Sequence, residues 1–258
     1  MKQKSLSFQS IFITGSSSGI GAALAQVYAE PDVTLFLCGR NKQRLENTAQ
    51  FCRDKGADVH TFIFDVINAD ETRDALNQAN AIRPLDLIIA NAGISSGILG
   101  VPENTGATTT IMQTNIFGVV NTVLPAIELF KFKGCGQIAL MSSMAGYRGL
   151  SNCPAYSASK NCVKAWGEAL RGLLAKEQIK VNVICPGFIK TPLTDANTFP
   201  MPFLMDVHTA AVFIQRGIAQ NKAIIAFPRI MAFMAWFGSV LPSCLLHPIL
   251  RLLPQKEK

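Results

Sequence analysis

Residues 10–21 read Ser10-Ile-Phe-Ile-Thr14-Gly15-Ser-Ser-Ser-Gly19-Ile-Gly21, and this stretch decides the fold. The apolar run that ends at Thr14 predicts a buried strand, and helical spacing begins at Gly21. Glycines between a strand and a helix permit a tight turn and let the backbone approach a phosphate closely. The helix adds unpaired N–H groups and the positive end of its dipole. We therefore expect a phosphate-binding turn, although a purely structural turn has the same sequence. Its candidate residues are Gly15, Ser17, Ser18, Gly19, Ile20 and Gly21.

Apolar runs of strand length recur along the chain between segments with helical spacing. The predicted strands are Ser10–Thr14, Val33–Cys38, Val59–Asp65, Leu87–Ala90, Gln137–Ser142, Lys180–Cys185 and Ala223–Phe227. The predicted helices include Gly21–Glu30, Asn41–Lys55, Thr109–Lys131 and Ala155–Lys176. This alternation predicts an α/β fold: a Rossmann-type, doubly wound, seven-stranded parallel sheet with helices on both faces.

The sequence contains no internal repeat or low-complexity linker, so we place no domain boundary in it. We predict a single dinucleotide-binding catalytic domain over residues 1–258, with a core at about 8–227 and a C-terminal helical extension at about 228–258. In open parallel sheets, ligands bind beyond the carboxyl ends of the strands. The functional residues should therefore follow the predicted strands.

Composition limits the partners and the compartment. The net charge is +7, and the basic residues are scattered instead of alternating with aromatic ones. This pattern argues against a nucleic-acid groove and is typical of a solvated surface, an anionic cofactor or an anionic membrane surface. Seven cysteines form an odd count without a CxxC pair, and no signal-peptide pattern follows Met1. We expect a cytoplasmic protein. The three histidines lack ligand-like spacing, so we expect no metal.

The end of the second predicted strand indicates which dinucleotide binds. The sequence there is Cys38-Gly39-Arg40-Asn41, with no carboxylate to accept the 2′-hydroxyl of an adenosine ribose. Arg40 can instead pair with a 2′-phosphate and stack on adenine. We therefore expect NADP(H) in preference to NAD(H), against the alternative of a solvent-exposed loop arginine.

Tyr156 and Lys160 are four residues apart at the start of a predicted helix, so both side chains lie on one helix face. A free phenol has a pKa of about 10 and is a poor acid–base catalyst at neutral pH. An adjacent ammonium, or the charge of an oxidised nicotinamide, lowers that pKa. Ser143 follows the fifth predicted strand and should reach the same edge of the sheet, where its hydroxyl can polarise a substrate carbonyl. Tyr156 is thus the candidate proton donor and acceptor.

These motifs resemble, in order and spacing, those of the short-chain dehydrogenases/reductases. The resemblance runs from about Ser10 to Phe227. The matching segments are Thr14-Gly15-x-x-x-Gly19-Ile20-Gly21, Asp65, Asn91-Ala92-Gly93, Asn115, Ser143, Tyr156-x-x-x-Lys160 and Pro186-Gly187-x-x-x-Thr191. A mild departure is Ala90, where many members have asparagine. The four catalytic residues of the family are all present, which indicates an active enzyme.

The resemblance implies a role for each catalytic residue. Tyr156 would donate the proton, and Ser143 would orient the carbonyl. Lys160 would hold the nicotinamide ribose and lower the pKa of Tyr156. Asn115 would anchor a water that links Lys160 to solvent.

The resemblance also implies cofactor contacts beyond the glycine-rich turn and Arg40. Asp65 and Val66 would contact adenine, Asn91 would lie beside the adenosine ribose, and Ile189 and Thr191 would grip the carboxamide. The remaining implied cofactor residues are Ala92, Gly93, Tyr156, Lys160, Pro186 and Gly187. Family members usually pair through the helices that hold Asn115 and Tyr156, so a homodimer or homotetramer is implied.

The segment Thr194–Asp206 is rich in Phe, Pro and Met and occupies the place of the family's substrate lid. Its apolar character favours a lipophilic or acyl-bearing carbonyl substrate, unless it simply packs against the body of the enzyme. The expected function is NADPH-dependent reduction of a ketone or aldehyde, the reverse reaction being alcohol oxidation. The alternative is a sensor or scaffold that binds NADP(H) without turnover.

Residues 230–250 contain no Asp, Glu, Lys or Arg, but Pro242 and Pro248 interrupt them. We predict two short helices, at about Pro228–Val240 and Ser243–Leu253. Three placements remain open: packing over the cleft or in an oligomer interface, peripheral attachment to the inner face of a membrane, or a true membrane span. Basic residues that flank the apolar stretch are Arg229, Arg251, Lys256 and Lys258.

Overall fold

The computed structural model describes residues 8–95, 103–195, 200–242, 244, 245 and 248. Its strands are β1 (Ser10–Thr14), β2 (Thr34–Gly39), β3 (Asp58–Ile63), β4 (Leu87–Ala90), β5 (Gly136–Met141), β6 (Ile179–Pro186) and β7 (Ile224–Phe227). All seven pair in parallel in one sheet, in the order β3-β2-β1-β4-β5-β6-β7. The predicted seven-stranded parallel sheet is confirmed, with strand ends displaced by at most two residues. The chain order reverses between β1 and β4, where a ligand crevice is expected.

Helices fill the connections between the strands. They are α1 (Gly19–Tyr28), α2 (Lys42–Asp54), α3 (Ala69–Ile82), α4 (Thr105–Met112), α5 (Gly118–Lys133), α6 (Pro154–Leu173), α7 (Pro192–Asp195), α8 (Val207–Ala219) and α9 (Arg229–Val240). A π-helical turn, Gln113–Phe117, joins α4 to α5, and a 3-10 turn, Met144–Gly146, follows β5. Side chains of Asn41, Asn68 and Asp206 accept hydrogen bonds from the first turns of α2, α3 and α8, which fixes where these helices begin.

Two hydrophobic clusters cover the two faces of the sheet. Ile11 and Ile13 of β1 pack into one cluster, which also contains residues of α1, α2 and α8. Phe12, between them, points the other way into a cluster with residues of α3, α5 and α6. Successive strand side chains alternate between faces, so a strand that is apolar at every position is buried on both sides. Helices therefore cover both faces, as predicted.

One helix in the described part of the chain, the continuous stretch Thr105–Lys133, has the length and apolar composition of a membrane span. Of its most apolar window, 44% is buried against the rest of the protein. Core helices have the same properties, so length and composition alone do not make this helix a span.

The first predicted tail helix is confirmed as α9. At 12 residues it is shorter than the roughly 20 that cross a bilayer. The second predicted helix, Ser243–Leu253, lies almost wholly outside the described residues. All seven cysteines are free thiols, and Cys38, Cys52 and Cys185 are buried.

Candidate active site

A glycine-rich turn connects β1 to α1 at the carboxyl edge of the sheet. Gly15 and Gly19 adopt positive φ values of 68° and 56°. A Cβ on Gly15 would lie 2.8 Å from the Cα of Ala92, and a Cβ on Gly21 would lie 2.2 Å from the Gly15 carbonyl oxygen. The positive φ disfavours a side chain at Gly15 and Gly19, and lack of space excludes one at Gly15 and Gly21. Glycine here keeps the backbone close to the β4 loop and leaves the turn open toward the cleft.

Asn91 holds this turn in place. Its Nδ2 donates to the carbonyl oxygens of Thr14, at 3.0 Å, and Gly15, at 3.1 Å. The Thr14 hydroxyl in turn accepts from the backbone N–H of Asn91, at 3.1 Å. The loops after β1 and β4, the two strands on either side of the reversal in chain order, are therefore locked together.

The amino end of α1 faces the cleft. Its N-cap residue, Ser18, has extended backbone geometry and makes no side-chain capping bond within the described residues. Ser17, Ser18 and Ile20 line the cleft next to the glycines. Backbone N–H groups at a helix start, together with the helix dipole, suit an anion such as a pyrophosphate.

A pair of opposite charges lies where β2 and β3 end. Arg40 Nη1 is 3.0 Å from Asp65 Oδ2, and the two side chains are 60% and 30% exposed. Asp65 Oδ1 also accepts from the Ile67 backbone N–H at 3.2 Å. Arg44, in the first turn of α2, lines the same part of the cleft. This end is solvated and carries two guanidinium groups beside one carboxylate.

Tyr156 and Ser143 meet at the other end of the cleft. Ser143 follows β5 and caps the 3-10 turn by accepting from the Ala145 backbone N–H at 3.1 Å. Tyr156 lies in the first turn of α6, which begins at Pro154. Burial raises the pKa of Tyr156 to about 12, and a hydrogen bond with Ser143 partly offsets this. The phenol is therefore protonated throughout the neutral range.

Lys160 lies one helical turn beyond Tyr156 and is 3% exposed. Its Nζ donates to the Met141 carbonyl oxygen at 2.9 Å and sits 5.8 Å from the centre of the Tyr156 ring. Burial lowers the pKa of Lys160 to about 8. The expectation from sequence was that Lys160 lowers the pKa of Tyr156. In this structure the net shift of the Tyr156 pKa is upward, because desolvation outweighs the hydrogen bond with Ser143.

Asn115 is fully buried in the π-helical turn between α4 and α5. Its Nδ2 donates to Ile94 O at 2.9 Å and to Ser159 Oγ at 3.0 Å, while its Oδ1 accepts from Ile94 N at 2.8 Å. A Cβ on Gly93 would lie 3.1 Å from both Asn115 Oδ1 and Lys160 Nζ. Asn115 thus ties the β4 loop to α6, close to Lys160, but it does not line the cleft.

The loop after β6 closes the cleft beside Tyr156. The Gly187 N–H donates to the Phe227 carbonyl oxygen at 2.8 Å. Thr194 Oγ1 donates to Ile189 O at 2.7 Å and accepts from the Thr191 N–H at 2.9 Å. These bonds hold the loop in a fixed shape over the glycine turn, where a Cβ on Gly19 would lie 3.4 Å from Thr191 Cγ2.

The two ends belong to one cavity of about 490 Å³. Of the residues predicted from sequence, only Gly21 and Asn115 are not on its wall. Thr194, the first residue of the predicted lid, also lies on the wall. Residues of the wall that the sequence reasoning missed are Gly39, Asn41, Arg44, Phe64, Ile94, Thr114, Met141, Ser142, Pro192 and Leu193. Arg44 had a sequence signal, since it lies four residues after Arg40 near the predicted start of a helix.

A larger cavity of about 710 Å³ opens at the amino ends of the strands. It is lined by Gln9, Asp86, Gln137, Arg171 and other residues, none of them predicted as functional. Ligands of open parallel sheets bind at the opposite edge, so the smaller cavity is the candidate site. Within the described ranges, no group of three His, Cys, Asp or Glu side chains is arranged to hold a metal ion.

The residues of the smaller cavity fit a nicotinamide dinucleotide. The turn Gly15–Gly21 provides free helix-start N–H groups for a pyrophosphate, and the absence of a side chain at Gly93 leaves space beside Lys160. The exposed arginines lie at one end and the acid–base pair at the other. This matches a molecule with a phosphorylated adenosine half and a reactive half.

Comparisons with known proteins identify the class. A sequence profile described as short chain dehydrogenase matches residues 9–199. An uncharacterised oxidoreductase of Myxococcus xanthus is 34% identical over 239 residues, covering 92% of this chain and 94% of that protein. A granaticin polyketide synthase putative ketoacyl reductase of Streptomyces violaceoruber is 32% identical, covering 71% of this chain and 68% of that protein.

A solved structure has the same fold. The short-chain dehydrogenase from Sphingobium yanoikuyae, in complex with NADPH, superposes with a TM-score of 0.77 at 21% identity and covers 96% of this chain and 98% of that one. The chain belongs to the short-chain dehydrogenase/reductase family. It is an NAD(P)-dependent oxidoreductase that acts on a small-molecule substrate.

Proposed function

We propose that the protein is an NADPH-dependent carbonyl reductase that interconverts a ketone or aldehyde and the alcohol, with Tyr156 as the general acid and base. The observation that carries this proposal is the Tyr156 end of the cavity. A partly buried tyrosine, a hydroxyl bonded to it and a buried lysine converge on one wall. A protein that only bound the dinucleotide would have no physical need for this set.

When bound, the reduced cofactor supplies the hydride that adds to the carbonyl carbon as the C=O π bond breaks. Tyr156 donates its proton to the carbonyl oxygen, and Ser143 holds that oxygen by a hydrogen bond. A pKa of about 12 keeps Tyr156 protonated before the reaction and ready to donate. Lys160, with a pKa of about 8, is mostly charged at neutral pH and can return a proton toward Tyr156. We keep Asn115 as the proposed anchor of the relay water.

Residues along the cavity would hold the cofactor. The turn Gly15–Gly21 would bind the pyrophosphate, while Asp65, Val66 and Asn91 would contact the adenosine half. The proposed contacts to the nicotinamide half are Ala92, Gly93, Lys160, Pro186, Gly187, Ile189 and Thr191. Preference for NADPH is supported by Arg40 and Arg44, two cations at the solvated end of the cavity. A 2′-phosphate there would gain charge-assisted bonds that a 2′-hydroxyl cannot make.

A lipophilic or acyl-bearing substrate is supported by the character of the lid. Pro192 and Leu193, directly before the predicted lid Thr194–Asp206, line the cavity, and Phe203 and Leu204 within the lid are 53% and 44% exposed. The ketoacyl reductase name of the Streptomyces relative points in the same direction. Residues 196–199 of the predicted lid lie outside the described part of the chain.

A homo-oligomer is supported by the outer surface of α4–α6. Phe117, Leu124 and Leu173 are 59%, 50% and 71% exposed there. Pairing of these helices between two copies would cover apolar surface that is otherwise in water. A single catalytic domain in the cytoplasm remains the proposed organisation and location.

The test is turnover of a panel of ketones, aldehydes and acyl thioesters with NADPH and with NADH, beside direct measurement of cofactor binding. We expect at least one lipophilic carbonyl to be reduced, faster with NADPH. Tight cofactor binding without turnover across the panel would favour the sensor alternative. Faster turnover with NADH would overturn the cofactor preference alone.

A further inference from the structure

Helix α9 has one face against the protein and one face in water. On the inner face, Met231 lies against the β6 loop, so that a Cβ on Gly187 would be 3.1 Å from its Sδ. The Ser239 carbonyl oxygen accepts from Arg148 Nη1 at 3.4 Å. The outer face, which we call the C-terminal apolar face, is 50–63% exposed at every position. It consists of Ile230, Phe233, Met234, Trp236, Phe237 and Val240.

This pattern is the reverse of an ordinary surface helix, which turns its polar side to water. The aromatic rings form one patch: Phe233 lies 5.9 Å from Trp236 and 6.3 Å from Phe237, measured between ring centres. A contiguous exposed apolar patch of this kind marks a contact with another apolar phase or molecule.

The sequence segment that contains α9 carries charge of one sign. Between Asp206 and Glu257 the sequence has no acidic residue but has five basic ones, Arg216, Lys222, Arg229, Arg251 and Lys256. Arg229 is exposed at the start of α9, directly beside the apolar face in sequence, and Arg148 contacts the other end of the helix. Residues 207–256 therefore provide no acidic side chain that could pair with Arg229.

We propose that the C-terminal apolar face binds the surface of an anionic lipid membrane. Its aromatic and aliphatic side chains would enter the boundary between headgroups and acyl chains, while Arg229 meets the phosphates. Pairing with a second copy is disfavoured, because a two-fold interface would place this face against the same segment of the other copy, and residues 207–256 contain no acidic side chain to pair with Arg229. An anionic membrane pairs with Arg229 and buries the same apolar side chains.

Helix α9 also lies next to the candidate active site, through its inner face. It packs on β7 and on the 3-10 turn that follows Ser143, and Met231 touches the loop of Gly187. Membrane binding by the outer face would therefore place the cavity close to the bilayer, which shortens the path of a carbonyl compound dissolved there. This consequence for substrate delivery rests on the proposed reductase function, whereas the binding of lipid does not.

Co-sedimentation of the full-length protein with vesicles tests the proposal, without cofactor or substrate. We expect binding to vesicles of phosphatidylglycerol and phosphatidylcholine, weaker binding to phosphatidylcholine alone, and weakening by salt. The double variant Phe233→Ser/Trp236→Ser should lose roughly tenfold or more in affinity. Phe132→Ser is the matched control, since Phe132 is 98% exposed on α5, outside this face. It should bind as the wild type does.

Thermal unfolding checks that the double variant is folded, and light scattering gives the mass of each protein. Absence of wild-type binding to anionic vesicles overturns the proposal, as does equal binding by a folded double variant. A wild-type dimer that becomes a monomer in the double variant, without vesicle binding, assigns the face to a second copy. Because no turnover is measured, failure here leaves the reductase function standing, and a failed substrate panel leaves lipid binding standing.

Discussion

The Tyr156 end of the cleft and the Arg40 end differ in burial and in the number of bonds that hold their side chains. Lys160 and Asn115 are 3% and 0% exposed and are fixed by hydrogen bonds to backbone atoms of β5 and of the β4 loop. Arg40 and Asp65 are 60% and 30% exposed and share one ion pair. A single cavity thus joins an end supported by buried, hydrogen-bonded side chains to a solvated one.

The difference decides how each end can act. In a desolvated site, charges are poorly screened and pKa values move, as they do for Tyr156 and Lys160. At an exposed site, an ion pair contributes little and is screened by salt. Acid–base chemistry therefore belongs at the Tyr156 end and charge recognition at the Arg40 end. Substitutions should have large effects at the first and small, salt-dependent effects at the second.

The largest effect is expected for Lys160→Met, which keeps the length of the side chain and removes its charge. We expect kcat to fall by about 10²–10⁴-fold, the usual contribution of acid–base groups. Lys164→Met, one helical turn further on, is the matched control, because Lys164 pairs with Glu168 outside the cavity. Steady-state kinetics of the two variants compares them. Equal loss in both would assign the effect to α6 as a whole.

Asn115→Leu should lower the free energy of unfolding by about 2 kcal/mol. The substitution leaves the backbone N–H and C=O of Ile94 buried without their partner, which costs about 1–3 kcal/mol. The exposed Gln113, in the same π-helical turn, provides the control Gln113→Leu, which should change stability by about 0.5 kcal/mol or less. Urea unfolding measures both. A stability loss as small as that of the control would show that the Asn115 bonds are not structural.

The pH dependence of stability should reveal the buried lysine. The pKa of Lys160 is about 8 in the folded protein and 10.5 as the ordinary value. Between these values the unfolded chain binds more protons, so stability that depends on Lys160 rises with pH. Between pH 8 and pH 9, the free energy of unfolding of the wild type should increase by on the order of 1 kcal/mol relative to that of Lys160→Met. The contributions of other buried groups to the pH dependence are the same in both proteins and cancel in this difference. A flat difference would mean that Lys160 is not desolvated.

The smallest effect is expected for Arg40→Ala at the exposed end. The Michaelis constant for NADPH should rise about fivefold at low salt, corresponding to about 1 kcal/mol, and less at high salt. The constant for NADH should rise less, because NADH lacks the 2′-phosphate and loses only the stacking of Arg40 on adenine. Arg73→Ala is the control, since Arg73 makes surface pairs with Asp70 and Asp74 away from the cavity. An equal rise for both cofactors would mean that Arg40 does not recognise the 2′-phosphate.

The sheet could be predicted from sequence because most strands contain an apolar run and each is followed by a helix. The site residues could be located because parallel strands bring their carboxyl ends to one edge. The ion pair between Arg40 and Asp65 had no sequence signal, since it joins the ends of β2 and β3 across 25 positions. We expected Arg40 and Asp65 to contact the cofactor separately, and not to contact each other.

The pKa of Tyr156 could not be predicted either. Spacing places Lys160 one turn from Tyr156, but the direction of its ammonium depends on the Met141 carbonyl, which another strand supplies. Burial, which raises the pKa, is a property of the packed loops around the helix. The π-helical turn at Asn115 likewise depends on bonds to Ile94, 21 positions away.

The most direct test of the account is the rate of NADPH oxidation by Tyr156→Phe with a carbonyl that the wild type reduces. The control is Tyr28→Phe, because the buried Tyr28 hydroxyl has no hydrogen-bond partner among the described residues. We predict that Tyr156→Phe still binds NADPH and loses about 10²–10⁴-fold in turnover, while Tyr28→Phe stays active. Turnover by Tyr156→Phe within a few fold of the wild type would contradict the assignment of Tyr156 as proton donor.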